Sequence, residues 1–240
     1  FGIAENAKFR RDVWCLEFSF KPVRMIDVSV PQADGTVAAE RIWYMIYRVE
    51  NTGAVVRPTE RNDGSFEPQL AESDAVRFIP HLVLEGHDRN ASGRRVYKAY
   101  LDQVIPAAVA AIRQRELPRG RLLNSAQLAQ LELPPAEGRT SRGAWAVATW
   151  RDVDPRMDFF SVYVSGLTNA YRWADPPGAY AVGSPPGKGR RFARKTLQSN
   201  FWRPGDEYLE HEDEIRYGVP AGKAHLYDSG EGVASQWVYR

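Results

Sequence analysis

The strongest pattern in the chain runs from Arg41 to Glu50. Ile42, Tyr44, Ile46 and Arg48 fall on one parity, and Trp43, Met45, Tyr47 and Val49 fall on the other. Aromatic and β-branched residues suit a pleated surface, and successive side chains of a strand point to opposite faces. Both parities are largely apolar, so the spacing predicts a central strand covered on both sides. Asn51-Thr52-Gly53 then supplies a reversal, because Asn and Gly tolerate positive φ.

Further strands are predicted at Val13–Phe20 and Met25–Val30. Pro22 between them marks an edge strand or a bulge. Asp34-Gly35, within Gln32–Gly35, signals a turn. Strands follow at Val76–Leu84, Ala144–Trp150, Phe159–Ser165, about 192–202, about 213–219 and Ser235–Tyr239, with a polar loop over 54–74 and a turn over Gly86–Asn90. The period changes between Leu101 and Ile112. Leu101, Val104, Ile105, Ala108, Val109 and Ile112 recur at three-four spacing, which predicts a helix over 103–115 laid against a sheet. Asp102 is its expected cap, and Pro106 falls in its first turn. A short helical turn is expected within Ser125–Leu131. Residues 1–12 read as a polar arm, 221–234 as a polar Gly-rich stretch, and 173–189, rich in Pro and Gly, as a long loop. Long loops in folded domains often carry function. The expected architecture is mainly β: an antiparallel β-sandwich with one inserted α-helix (about 103–115), one domain over 1–240. Two domains split near 120–142 are the alternative.

Composition narrows the classes. With 43% hydrophobic and 26% charged residues among 240, the chain is not disordered as a whole. The aromatic share is 12%, including 7 Trp and 11 Tyr, which suits a β-core, an interface or a sugar site. Thirty-two basic against 30 acidic side chains leave a net charge of +2, too balanced for global attraction to nucleic acid or membrane. Cys15 is the single cysteine, which excludes an internal disulfide and a cysteine zinc cage. Lying between Trp14 and Leu16, it reads as a buried small hydrophobe. No apolar run reaches the roughly 18 residues of a membrane span. The chain opens on Phe1 and not Met, which raises a cleaved signal or lost anchor as a hypothesis that intact mass of the native protein would decide.

Candidate chemistry is sparse. There is no G-x-S-x-G elbow, phosphate loop, H-E-x-x-H or dinucleotide fingerprint, so no catalytic residue is assigned and no cofactor is expected. Asp152, Asp154 and Asp158 suit an Asp-Pro turn better than paired acid–base work. Asn90-Ala91-Ser92 is a glycosylation sequon where the machinery exists. His81, Glu85, His87 and Asp88 are the weak metal candidates, since imidazole and carboxylate ligate zinc or iron. His81 and Glu85 share a strand parity. Lys188, Arg190, Arg191, Arg194 and Lys195 form a basic run around Phe192. Asp206, Glu207, Glu210, Glu212, Asp213 and Glu214 form an acidic run around His211. Complementary docking, within the chain or between copies, is the reading of the two runs. The interface candidates are Trp173, Tyr180, Arg190, Arg191, Phe192 and Arg194 on one side and Asp206, Glu207, Glu210 and Glu212 on the other.

Five stretches together, RDVWCLEFSFKP (11–22), IWYMIYRVENTG (42–53), VIPAAVAAIRQRE (104–116), DFFSVYVSGLTNAYRW (158–173) and NFWRPGDEYLEHEDEIRYGVP (200–220), resemble a family of planctomycete bacterial proteins with no assigned activity. The segment RVENTG also resembles the second strand and turn of immunoglobulin-like accessory domains of bacterial envelopes. These resemblances imply a bacterial source, an immunoglobulin-like sandwich and an envelope, periplasmic or extracellular setting, with a cytoplasmic one as the alternative; they carry over no site residue. The function expected is a non-catalytic structural or scaffolding subunit of an envelope assembly. Its expected partners are other protein subunits, copies of itself among them, and not nucleic acid. A glycan-binding module and a metal-dependent hydrolase are the alternatives.

Overall fold

The computed structural model describes residues 11–136, 143–179, 183–185, 187–205, 209 and 212–240. In chain order the elements are β1 (Val13–Trp14), β2 (Glu17–Phe20), β3 (Arg24–Pro31), β4 (Val37–Glu50), β5 (Ala54–Glu60), β6 (Phe66–Glu72), β7 (Val76–Arg77), β8 (His81–Gly86) and β9 (Ala99–Leu101). Then come α1 (Pro106–Glu116), β10 (Leu123–Asn124), α2 (Ser125–Leu128), β11 (Glu132–Leu133), β12 (Ala144–Trp150) and β13 (Phe159–Ser165). The last are β14 (Tyr171–Ala174), β15 (Arg191–Trp202), β16 (Arg216–Tyr217) and β17 (Ser235–Tyr239).

The two parities of β4 organise the fold. β4 pairs antiparallel with β12 on one edge and with β2 and β3 in succession on the other. Trp43, Met45, Tyr47 and Val49 face the second sheet, ordered β14-β15-β13-β8-β9, and pack there with Leu82, Leu84, Phe160, Val162 and Phe201. Trp43 meets Phe160 edge-on at 5.3 Å, and Phe160 stacks on Phe201 at 5.5 Å, the arrangements ring quadrupoles favour. Ile42, Tyr44 and Ile46 face the other way and lie under Ile105, Ala108 and Ile112. The layers are therefore helix, first sheet, second sheet, a mainly β sandwich with one short helix against it.

α1 begins at Pro106, three residues later than expected, and is capped differently. Pro106 occupies its first turn, where the missing N–H has no partner to lose. The N-cap is Ile105, with no side-chain bond. Asp102 instead accepts the Thr149 N–H at 2.8 Å and the Ser125 hydroxyl, tying β12 to α2. Asn124 and Gln127 close α2 with a reciprocal capping box.

Other expectations are corrected. The loop placed over 54–74 is a hairpin, β5 with β6, turned at Arg61–Ser65 around Gly64 at φ 75°. Its pattern is masked because Pro58 sits opposite Pro68 and β6 has no buried position to mark a face. The strand over Val76–Leu84 is two strands broken before His81 by Pro80, and that over 213–219 contracts to β16. Trp173 and Ala174 belong to β14, inside the stretch read as loop. Cys15 is exposed, bridging Thr168 through the backbone, since its parity points away from Leu16. No described helix is long and apolar enough to cross a membrane.

Candidate functional site

The outer face of the second sheet carries a closed polar hub. Glu85 on β8, Ser161 on β13 and Asn200 on β15 are register neighbours, and His87 follows β8. All four are buried. Glu85 accepts from Arg95 at 2.6 Å and from Arg240 at 2.8 Å. Arg95 also donates to Nδ1 of His87 at 2.7 Å. An arginine has no acceptor, so Nδ1 is bare and the proton sits on Nε2. Nε2–H then donates to Ser161 Oγ at 2.7 Å, and Ser161 donates to Asn200 Oδ1 at 2.7 Å. Gln198 adds a bond to Asn200 Oδ1 at 2.9 Å, and the Tyr227 ring lies 5.1 Å from the imidazole.

That direction matters. A nucleophilic serine needs an imidazole that accepts its proton. Here the imidazole donates, and Ser161 is 0% exposed. Burial, reinforced by the charges of Arg95 and Arg240, pulls the His87 pKa down to about 3. The hub is a neutral hydrogen-bond relay held between two arginines that also clamp Glu85.

The metal candidates are not brought together. His81 begins β8, exposed, six residues from His87, or roughly 20 Å along an extended chain. Glu85 and His87 spend their lone pairs on arginine. Asp88 accepts the N–H groups of Asp158 and Phe159, at 3.3 and 3.1 Å. Among the described residues no group of three His, Cys, Asp or Glu side chains converges on a possible ion. A groove of about 540 Å³ beside β3 is lined in part by Arg24, Arg41, Asp27 and Asp213. Its charges are already paired: Arg41 with Asp27 and Asp213, each at 2.9 Å, and Arg24 with Glu116 at 2.7 Å.

The open surface lies farther along the same sheet. β15 spans 12 residues, and its first five, Arg191–Lys195, run past the sandwich with no fully buried position. β14 pairs with this overhang, and all four of its residues are exposed. The register sets Tyr171 beside Arg194 and Trp173 beside Phe192 on one face. Trp173 is 53% and Phe192 63% exposed. On the other face Arg172, Arg191 and Lys195 lie together, with Tyr239 of β17 opposite Lys195. Cations cover several rings: Arg190 at 3.8 Å from Trp173, Arg172 at 4.0 Å from Tyr239 and Lys195 at 5.3 Å from Trp237. The fork of Arg190 is also closed on Asp175, at 2.8 and 2.9 Å. Among the described residues Arg191 and Arg194 form no ion pair.

Five of the docking candidates, Trp173, Arg190, Arg191, Phe192 and Arg194, therefore converge on one ribbon. Tyr180, Asp206, Glu207 and Glu210 lie outside the described residues. Glu212 is half-buried and anchored at the far end of β15, where its N–H donates to Pro204 and its carbonyl accepts from Arg203. Eleven residue steps of β15 separate that end from Arg191, about 36 Å. Glu212 therefore does not face the basic run within one chain. Missed by sequence reasoning were Tyr171 and Arg172 of the ribbon and, in the hub, Arg95, Ser161, Gln198, Asn200 and Arg240; Glu85 and His87 were singled out, but as metal candidates. The run Tyr171-Arg172-Trp173 had strand propensity, but the Pro and Gly just after it hid the signal. No family model, curated protein or solved structure matches this chain.

Proposed function

We propose that this chain is a non-catalytic docking subunit of a larger bacterial cell-envelope assembly, engaging protein partners through the β14–β15 ribbon. The observation that supports the reading is the overhang itself. A strand with all four residues exposed holds Tyr171 and Trp173 beside Phe192, and among the described residues Arg191 and Arg194 form no ion pair. Aromatic residues and arginine are the side chains that dominate interface energetics. Exposed aromatic side chains grouped on one face, Trp173 with Phe192, support an interaction role. The immunoglobulin-like reading of the sandwich belongs to the same proposal, and its support is the pair of largely antiparallel sheets facing across an aromatic core. A glycan-binding reading is less well supported, because arginine or lysine already lies over Trp173, Tyr239 and Trp237, rings a sugar would stack on.

The test is the native mass of the endogenous protein in a mild extract, compared with a strain carrying Arg191→Glu with Arg194→Glu. A large particle with fixed companions, lost in the variant, is the expected result. A free monomer without companions in the wild type would refute the proposal.

A further inference from the structure

The β5–β6 hairpin presents a second exposed apolar face, and its charge is opposite to that of the ribbon. The register sets Val56 beside Leu70, Pro58 beside Pro68 and Glu60 beside Phe66, and Glu72 shares their parity. Side chains of one parity share one face of a strand. This face is therefore apolar along its middle, with a carboxylate at each end. Phe66 is 48% and Leu70 74% exposed. Among the described residues Glu60 and Glu72 form no ion pair. The other face is tied down: Arg57 bonds Asp12 at 2.8 and 3.1 Å, and Thr59 donates to Gln69 at 3.1 Å.

Charge divides between the two surfaces. Residues 54–74 carry five carboxylates, Glu60, Asp63, Glu67, Glu72 and Asp74, against Arg57 and Arg61. Residues 171–195 carry Arg172, Lys188, Arg190, Arg191, Arg194 and Lys195 against the single carboxylate of Asp175. The net charge of the whole chain is only +2, so the separation is local. Within one chain the two surfaces stay apart. β1 stands between them: Val13 and Trp14 pair with Val56 and Val55, while Asn169, just before β14, accepts the Trp14 N–H at 3.1 Å and donates to the Asp12 carbonyl at 2.9 Å. Phe66 and Leu70 on the one surface, and Trp173 and Phe192 on the other, are all exposed in the single chain.

We infer that the ribbon's partner is a second copy of this chain: the apolar face of one copy's β5–β6 hairpin lies on the aromatic face of another copy's β14–β15 ribbon. Phe66 and Leu70 pack against Trp173 and Phe192, and Glu60 and Glu72 meet Arg191 and Arg194. Opposite charge steers the two surfaces together and fixes their pairing. Like charge disfavours hairpin on hairpin and ribbon on ribbon, so the contact joins unlike surfaces. This rests on the ribbon being the docking surface, and it adds what docks there.

The experiment is sedimentation velocity of the purified full chain over a concentration series. The wild type should self-associate, and added salt should weaken the association. Arg191→Glu with Arg194→Glu should weaken it at least tenfold, and Glu60→Lys with Glu72→Lys should do the same. An equimolar mixture of the two variants should associate at least tenfold more tightly than either alone, because every reversed surface then meets an opposite one. A misfolded variant could not give that rescue. A mixture no tighter than its components would overturn the pairing of hairpin with ribbon. A wild type that stays monomeric at every concentration would overturn self-docking altogether. The docking reading would survive that result if the endogenous particle still depended on Arg191 and Arg194, so the two failures are distinguishable.

Discussion

Arg95 donates to Nδ1 of His87 across 2.7 Å, and that one contact decides which imidazole nitrogen carries the proton. Burial, reinforced by the charges of Arg95 and Arg240, also makes the histidine an acid-sensitive element of the fold. The folded pKa is pulled down to about 3, below the ordinary histidine value near 6.5. Between those values the unfolded chain binds a proton that the folded chain refuses, so stability falls as pH drops from about 6.5 toward 3. The slope from this group approaches about 1.4 kcal/mol per pH unit. Urea midpoints measured at pH 7, 6, 5 and 4 should decline accordingly. His87→Gln should be less stable at pH 7 and lose this part of the decline. Nitrogen shifts of the ring should show the Nε2–H tautomer without titration between pH 5 and 8. A ring that titrates near pH 6.5 would contradict the assignment.

Glu116 ends α1 and gathers the first sheet's edge. Its side chain is only 4% exposed and accepts from Lys21 at 3.0 Å, Arg24 at 2.7 Å and the Tyr44 hydroxyl at 2.8 Å. Burial opposes its charge, but the bonds from Lys21, Tyr44 and Arg24 outweigh it and hold the pKa at about 2. A depressed carboxylate stabilises the fold above its unfolded pKa, near 4.3, and that contribution disappears as pH falls from there toward 2. Glu116→Gln should cost about 2 kcal/mol at pH 7, because two cations and a phenol lose a charged acceptor. Denaturant midpoints of the variant and wild type should draw together below about pH 4 and converge as pH approaches 2. A cost unchanged between pH 7 and pH 2 would show that charge is not what Glu116 contributes.

What the sequence made legible follows the burial contrast. The two parities of β4 and the stripe of α1 were readable because each apolar set is covered by one partner layer. The hairpin β5–β6 was not, because Pro58 sits opposite Pro68, β5 buries the consecutive Val55 and Val56, and β6 buries nothing, so no clean alternation is presented. The docking residues around Arg191 were readable as a basic run around an aromatic. Their union with β14 was not, since Tyr171 lies 23 positions from Arg194 and the intervening Pro and Gly carry no pairing information. The hub was the least legible. Glu85 reaches Arg95 nearby but Arg240 from 155 positions away, and only topology brings that last residue over β8.

Gly166 shows a backbone constraint that no side-chain pattern reveals. It sits just after β13 at φ 94°, and a Cβ there would run into the Ile79 carbonyl and approach the Phe78 ring at 3.2 Å. Positive φ is costly for residues with a Cβ, and the blocking atom is backbone that cannot rotate away. Gly166→Ala should lower unfolding stability by about 3 kcal/mol. The exposed Gly64, also at positive φ but with open space around it, should lose about 1 kcal/mol on the same change. Thermal unfolding of the two variants side by side checks the difference. Equal shifts would mean that φ alone, and not the close approach, sets the cost.

The ribbon arginines should separate by what already holds them. Arg190 is stacked on Trp173 and forked onto Asp175, so its charge is largely spent inside the chain. Arg191 and Arg194 form no ion pair among the described residues and point to opposite faces of β15. Removing exposed, unpaired charges leaves folding nearly untouched, within about 0.5 kcal/mol. Removing a docking charge slows association and weakens its dependence on salt. Arg191→Glu with Arg194→Glu should therefore keep the wild-type unfolding midpoint while losing partner binding by tenfold or more. Arg190→Ala should shift the midpoint slightly downward and weaken binding by a smaller factor, since it frees Asp175 and uncovers Trp173 without removing an available cation. Calorimetric unfolding and binding to the isolated partner at 50 and 300 mM salt read out both quantities. If Arg190→Ala proved the more damaging to binding, the partner would be recognising the Trp173–Arg190 stack itself, and the open cations would be bystanders.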